Sequence, residues 1–331
     1  MVDIENKDFI SESSIDDLMR NAIERLLREV DAITASKGEF TEIFGVLLEL
    51  TNPRARISRT DSRGIIFSCL GEFLWYMSAS NELSHIQYYL PSYNKFSDNG
   101  MTLQGGYGPR LFAQLHNNQE QLHNIINLLK NKRTSRQAVI QLFDKEDLSS
   151  KSKDIPCTCT LQFLIRHGRL HMLTNMRSND VFIGLPHDIF AFTMIQELVA
   201  RSLGTELGTY KHVIGSLHLY SKDRKKAQMF LDEGWTSNIS MPIMPKFSPW
   251  ESISTILDAE SKIRKGFTIN LSELNIDEYW IDIVKLLLVL KMYKSGDISG
   301  IQKIIKLMPT DAYTPFINKK YEQLLASQPQ A

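Results

Sequence analysis

The chain has 331 residues, with 38 Lys and Arg against 38 Asp and Glu, so its formal charge is zero. That excludes binding of nucleic acid through a broadly basic surface, which needs a clear surplus of cations. Apolar residues make up 43% and charged residues 23%, which excludes wholesale disorder. Residues 12–36 carry Ile15, Leu18, Met19, Ala22, Ile23, Leu26, Leu27, Val30 and Ile33 at three- and four-residue spacing, which predicts an amphipathic helix capped by Ser13 or Ser14. Phe44–Leu50 reads as a strand, Ile65–Met77 as a helix that places Glu72 in an apolar setting, and 91–109 as a long loop. Glu120–Asn131 reads as a short helix and Gln137–Phe143 as a strand. Cys157–Arg166 and Arg169–Met176 flank His167-Gly168 as a hairpin. Pro186 opens a helix to about Leu203 that Gly204 ends, and Lys211–Leu219 is a further strand. Beyond 240, helices are expected over Ile253–Arg264, Asp277–Lys294 and Ile298–Leu307.

The longest apolar run, Leu286 to Leu290, is too short for a membrane span, and the acidic start Met1-Val-Asp-Ile-Glu is not a signal peptide. Three cysteines make no disulfide framework, so the expectation is a reduced, cytoplasmic protein without membrane contact. No His/Cys cluster has zinc spacing, and no Walker, GxSxG or GxGxxG motif occurs, so no metal is expected. Cys157, after Pro156, is either a buried structural thiol or a nucleophile made thiolate by Arg177 or Arg136. Cys159 is either structural or a resolving or metal-binding partner, and Cys69 is packing. Asn175-Met-Arg-Ser-Asn-Asp180 followed by Gly184-Leu-Pro-His-Asp188 joins a strand to a Pro-started helix, and Arg177 and Ser178 there suit an anion. Asp188 is either a carboxylate favoured by the helix dipole or a binding group.

Together these segments resemble the thymidylate synthase superfamily, most closely its cytidylate hydroxymethylase branch, over residues 40–255. Glu72-Phe-Leu-Trp75 looks like the family's Glu-Leu-Leu-Trp helix, and Gly106-Tyr107-Gly108 like its active-site Tyr-Gly turn. Ser135-Arg136 looks like Ser-Arg-Arg, Pro156-Cys157 with Gln162-Phe163 like the nucleophile strand, and Arg177-Ser178-Asn179-Asp180 like Arg-Ser-x-Asp. Gly215-Ser-Leu-His-Leu-Tyr220 looks like Gly-Asp-x-His-x-Tyr. The resemblance implies an α+β fold with a large mixed sheet packed by helices. It also implies a catalytic domain over 1–255 and a helical extension over 256–331.

The departures are informative. Synthases have Phe-Asn where this chain has His187-Asp188. The Asn reads uracil; a protonated carboxyl can accept from cytosine N4–H and donate to N3. The phage dCMP hydroxymethylases of the branch also carry Asp there. Ser92 and Lys95 replace the synthase Trp residues, and the C-terminal Gln328-Pro-Gln-Ala331 lacks the apolar closing tail, so water is expected to reach the intermediate. Gln137 replaces the second Arg of Ser-Arg-Arg. The early phosphate-binding Arg has Lys37, Arg54 or Arg56 as replacements, unless these are solvated surface charges.

The resemblance therefore implies a homodimeric hydroxymethylase of cytidine monophosphates using 5,10-methylenetetrahydrofolate. The expected substrate is dCMP, with CMP as the alternative; an ordinary thymidylate synthase or an inactive nucleotide-binding relative are the other readings. In the implied site Cys157 attacks pyrimidine C6, Glu72 moves protons and Tyr107 assists at C5. Arg177, Ser178, Gln162 and the partner subunit's Arg136 hold the phosphate and the nucleophile strand. His218 and Tyr220 hold the sugar, Asp180 the pterin, and Asp188 the base, its charge tuned by His187.

Overall fold

The computed structural model describes residues 8–35, 38–112, 120–235, 238–308 and 310–327. The expectations for 1–5, for Lys37 and for 328–331 lie outside the described residues. The chain divides into two compact units, Met1–Ser240 and Met241–Ala331.

The first unit begins with strand β1 (Phe9–Glu12) and helix α1 (Ile15–Arg28). Ser14 caps α1 by accepting from the Asp17 amide at 3.2 Å. The helix stops at Arg28 rather than continuing to 36, because Glu29 turns extended and Ile33–Ala35 forms strand β2 against the start of β3 (Gly38–Leu50). Val30 is 87% exposed, so the apolar spacing beyond Arg28 belongs to an edge hairpin and not to a buried helical face.

Helices α2 (Ile66–Met77), α3 (Leu83–Tyr89), α4 (Tyr107–Phe112) and α5 (Gln121–Asn131) follow, with a 3-10 turn over Pro91–Lys95 inside the segment expected to be loop. Then come β4 (Val139–Gln141), α6 (Lys145–Ser149), β5 (Thr158–Arg166), β6 (Arg169–Asp180), α7 (Gly184–Ser202), β7 (Glu206–Tyr220) and α8 (Arg224–Asp232). The β5–β6 turn has positive φ at both His167 (50°) and Gly168 (73°), the twist that a two-residue hairpin requires.

The sheet is mixed and seven-stranded, in the order β1-β3-β7-β6-β5-β4, with β2 paired to β3. β1 runs parallel to β3 and β6 parallel to β7; the other pairs are antiparallel. One face is covered by helices. α7 lies on β6 and β7, and α2 packs on α7. Residues Ile189 to Ala200 of α7 are all buried, because this helix is enclosed between sheet and helices. The opposite face carries cross-strand rows such as Leu47, Val213, Asn175 and Thr160, and Glu49, Lys211, Leu173 and Gln162, none of which is buried.

The second unit holds α9 (Trp250–Arg264), α10 (Glu278–Ser295), α11 (Ile298–Leu307) and α12 (Thr314–Ala326), with α10 packed on the other three. The domain edge drawn from sequence at 255 falls inside α9, and α12 was not anticipated. Among the described residues no helix is long and apolar enough to cross a membrane.

Candidate functional site

Cys157 sits half-buried at the entry to β5, and its carbonyl accepts from the Arg177 amide of β6 at 2.9 Å. The β5–β6 register shifts between Thr158 and Thr160, so Cys159 is the extra residue of a bulge. A bulge bends its strand and re-aims the side chains beside it, here at the end that carries Cys157. The Arg177 side chain ties down the approach to Cys157, with Nε on the Pro156 carbonyl (2.9 Å) and Nη2 on the Ile155 carbonyl (3.1 Å). The residue is exposed, and its Nη1 makes no hydrogen bond among the described residues. A side chain at Gly215 would bring its Cβ to 2.8 Å from the Arg177 carbonyl, so only glycine lets β7 pass here.

Tyr107 opens α4, and its hydroxyl accepts from the Thr158 amide (3.0 Å) and the Thr158 hydroxyl (2.9 Å). That leaves its own proton to point elsewhere. Burial, then Cys157 and Asp188, push the phenol well above its usual range. The turn before Tyr107 is pinned to the segment that leads into Cys157. Arg110 makes a buried bidentate pair with Asp147, and the Gly105 amide donates to Asp154 at 2.8 Å.

Glu72 is 5% exposed on α2. Its Oε1 accepts from two phenols, Tyr76 at 2.8 Å and Tyr93 at 2.5 Å. Neither phenol stood out in the sequence, where only the carboxylate's motif was visible. Asp188, the fifth residue of α7, is held well above the usual carboxylate range by burial and then by Glu72. Asn179 donates from Nδ2 to Asp188 Oδ2 at 3.2 Å, and the same nitrogen lies 3.3 Å from His212 Nε2. His212 is fully buried and bonds the Tyr210 hydroxyl through Nδ1 at 2.8 Å. Asn179 was missed as a site residue, because a polar side chain on the inward face of a strand leaves no periodic signal.

Asp180 Oδ1 accepts from the Phe182 and Ile183 amides at 2.8 and 3.0 Å, which ends β6 and starts α7. Burial raises this carboxyl despite those donors. Asp180 is paired in register with His218, and the Ser178 position with Ser216. His218 is flanked by Phe40 and Tyr220 at 5.2 and 5.0 Å between ring centroids. Burial, then Asp180 and Cys157, raise the Tyr220 phenol. Cys157, Glu72, Tyr107, Arg177, Ser178, Asp180, Asp188, His218 and Tyr220 thus gather around the ends of β5, β6 and β7 and the adjoining starts of α4 and α7.

Other candidates lie elsewhere. Gln162 sits on the open face of the sheet and donates to the Arg136 carbonyl at 3.0 Å. Arg136 is exposed in the loop before β4, and its guanidinium bonds nothing among the described residues. Arg56 is no phosphate ligand: it is fully buried in an ion pair with Glu197, which lies in turn 3.8 Å from Arg201. His187 does not turn toward Asp188. Its Nδ1 donates to the Ile183 carbonyl at 2.9 Å, its Nε2 lies 3.0 Å from the Ser68 hydroxyl, and burial lowers its pKa.

A cavity of about 470 Å³ adjoins the start of α7, walled by Leu90, Phe182 and Ile183 and bearing Arg63, His187 and Asp223. Arg63 stacks on Phe182 at 4.8 Å. Among the described residues no group of three or more His, Cys, Asp or Glu side chains could hold a metal ion.

The thymidylate synthase family profile matches residues 41–257. A deoxyuridylate hydroxymethyltransferase of Bacillus phage SP01 is 28% identical over 218 residues, 62% of this chain and 57% of the relative. One of Pseudomonas phage M6 is 34% identical over 169 residues, 50% of this chain and 48% of the relative. A thymidylate synthase of Bacillus subtilis subsp. natto is 35% identical over 112 residues, 33% of this chain and 40% of the relative. The chain therefore spans from two fifths to under three fifths of these relatives' lengths. Since the family match covers well over half of the chain, the protein belongs to the thymidylate synthase family.

Proposed function

We propose that the protein transfers a hydroxymethyl group to C5 of a pyrimidine nucleoside monophosphate, cytidylate by preference and dCMP before CMP. The observation that carries the base assignment is Asp188. Burial and Glu72 favour its neutral form, and a neutral carboxyl offers one donor and one acceptor. Asn179 donating to Oδ2 favours the proton on Oδ1. The resulting donor–acceptor pair complements cytosine N3 and N4–H.

Cys157 adds to C6, which makes C5 a nucleophile. Tyr107, whose proton points away from Thr158, assists removal of the C5 proton, and Glu72 moves protons to and from the base. Water then adds at the new exocyclic carbon and Cys157 leaves. Methylenetetrahydrofolate would supply the one-carbon unit as cosubstrate and leave as tetrahydrofolate once the C5 proton is lost, which frees the exocyclic carbon for that water. The cavity beside α7 suits it, with apolar walls for a flat ring and the Arg63 guanidinium for a carboxylate; Asp180, outside that lining at the start of α7, would take the pterin. Arg177 Nη1 and Ser178 take the phosphate, and His218 and Tyr220 the sugar. Arg136 serves the site of a partner subunit across the open sheet face, where Phe44 is 83% exposed.

Deoxyuridylate is the second reading, favoured by the names of the phage relatives. With its proton on the other oxygen, Asp188 would meet uracil N3–H and O4. Mass analysis of the product separates the outcomes. A gain of CH2O on a cytidylate supports the proposal, the same gain only on deoxyuridylate supports the second reading, and a gain of CH2 means thymidylate synthesis.

A further inference from the structure

Glu72 is anchored by two phenols of different origin. Tyr76 lies one turn along the same helix and travels with it. Tyr93 comes from the Pro91–Lys95 turn, 21 residues away, and reaches the same oxygen at 2.5 Å. Its ring stands edge-on to Trp75 and Phe96, with centroids 6.0 and 5.8 Å apart. Oε1 is thereby saturated, while Oε2 makes no hydrogen bond among the described residues. A carboxyl gripped by one oxygen cannot rotate, so the other oxygen keeps a fixed bearing.

We propose that Tyr93 is a positioning residue for Glu72: its hydroxyl locks Oε1, turns Oε2 toward the reacting groups, and makes the carboxylate's working geometry depend on docking of the Pro91–Lys95 turn. The role in turnover rests on the reading that Glu72 moves protons; the link between Tyr93 and Glu72 does not. The titratable groups facing Glu72 are Cys69 and Tyr76 on α2, Tyr93 on the turn, and His187 and Asp188 on α7. Of these, only Tyr76 and Tyr93 donate hydrogen bonds to it.

The test is a carboxyl signal, one titration and a kinetic cycle. Protein labelled with carbon-13 at the Glu side-chain carboxyls is followed by NMR, and the Glu72 signal is the one absent from Glu72→Gln. In Tyr93→Phe, which keeps the ring and its packing, the Glu72 carboxyl signal should shift at constant pH, because Oε1 loses one of its two donors. Tyr76→Phe should move it in the same direction. In the opposite sense, Glu72→Gln should lower the alkaline midpoint of the Tyr93 phenol, which the carboxylate now raises; this reading needs no variant at Tyr93.

In turnover, Tyr93→Phe should cut kcat about tenfold and leave nucleotide KM near wild type. The Tyr93→Phe, Glu72→Gln double variant should be no slower than Glu72→Gln alone. An unmoved Glu72 signal, an unmoved Tyr93 midpoint, or losses that multiply in the double variant, would overturn the proposal. A wild type that turns over none of the three nucleotides would refute the proposed function, and the carboxyl signal and the Tyr93 titration would still decide the role of Tyr93.

Discussion

Cys157 and Asp188 carry the two most specific expectations at the scale of single residues. Cys157→Ser should abolish product while nucleotide affinity, measured by calorimetry, stays within a few-fold, because the phosphate and base contacts lie elsewhere. A residual rate above about a tenth of wild type would contradict a covalent role, since loss of a nucleophile ordinarily costs several decades. Asp188→Asn should move the kcat/KM ratio from cytidylate toward deoxyuridylate. The shift is of order a few kcal/mol, at roughly 1–3 kcal/mol for each buried group left unpaired. An unchanged ratio would mean that Asp188 does not read the base. Glu72, Tyr107, Cys157 and Arg177 were legible through the resemblance, since each sits in one of the short ordered motifs that carry it. Tyr76, Tyr93 and Asn179 were not, because a phenol or an amide becomes informative only when its partner is known. Arg56 misled for the same reason: its partner Glu197 lies 141 positions away.

Strands β6 and β7 bring the site residues into register and also bury a histidine that the chemistry does not use. Burial holds His212 down at a pKa of about 3, against roughly 6.5 in an unfolded chain. Below about pH 6.5 the unfolded state binds a proton that the folded state refuses, so this residue's contribution to stability falls as pH drops toward 3 and levels off beneath it. The loss by pH 3 is roughly 4 kcal/mol as an order of magnitude. His212→Gln does not titrate there. Its melting temperature should fall less than that of wild type between pH 7 and pH 4, and parallel curves would contradict the buried neutral state. At this scale the hairpin, the central strands and α7 were legible, since alternation, a His-Gly turn and a Pro start with a Gly stop each mark one structure. The edges were not. A three-residue strand such as β2 has no periodicity of its own, so its Ile33 read as a continuation of α1.

At the scale of the whole molecule, the proposed twofold dimer, in which each site borrows a cation, rests on Arg136, exposed and unbonded among the described residues, and on the open sheet face. Mixing Cys157→Ser protein with Arg136→Ala protein should restore activity through hybrid dimers that assemble one intact site. Light scattering that found only a 38.0 kDa species under turnover conditions would contradict this. The mixed sheet with its helical cover was legible from the resemblance and the change of character past residue 240 from the sequence, whereas the domain edge was placed at 255, where the resemblance ends, beyond the division at Ser240–Met241. The central claim is one-carbon transfer to C5 of a cytidylate, read by Asp188. Release of tritium from 5-tritiated dCMP, CMP and dUMP, with methylenetetrahydrofolate present, tests it most directly. The account predicts the highest kcat/KM for dCMP, with CMP next and dUMP well below. Release from dUMP alone would contradict the cytidylate assignment, and release from none of the three would contradict C5 chemistry altogether.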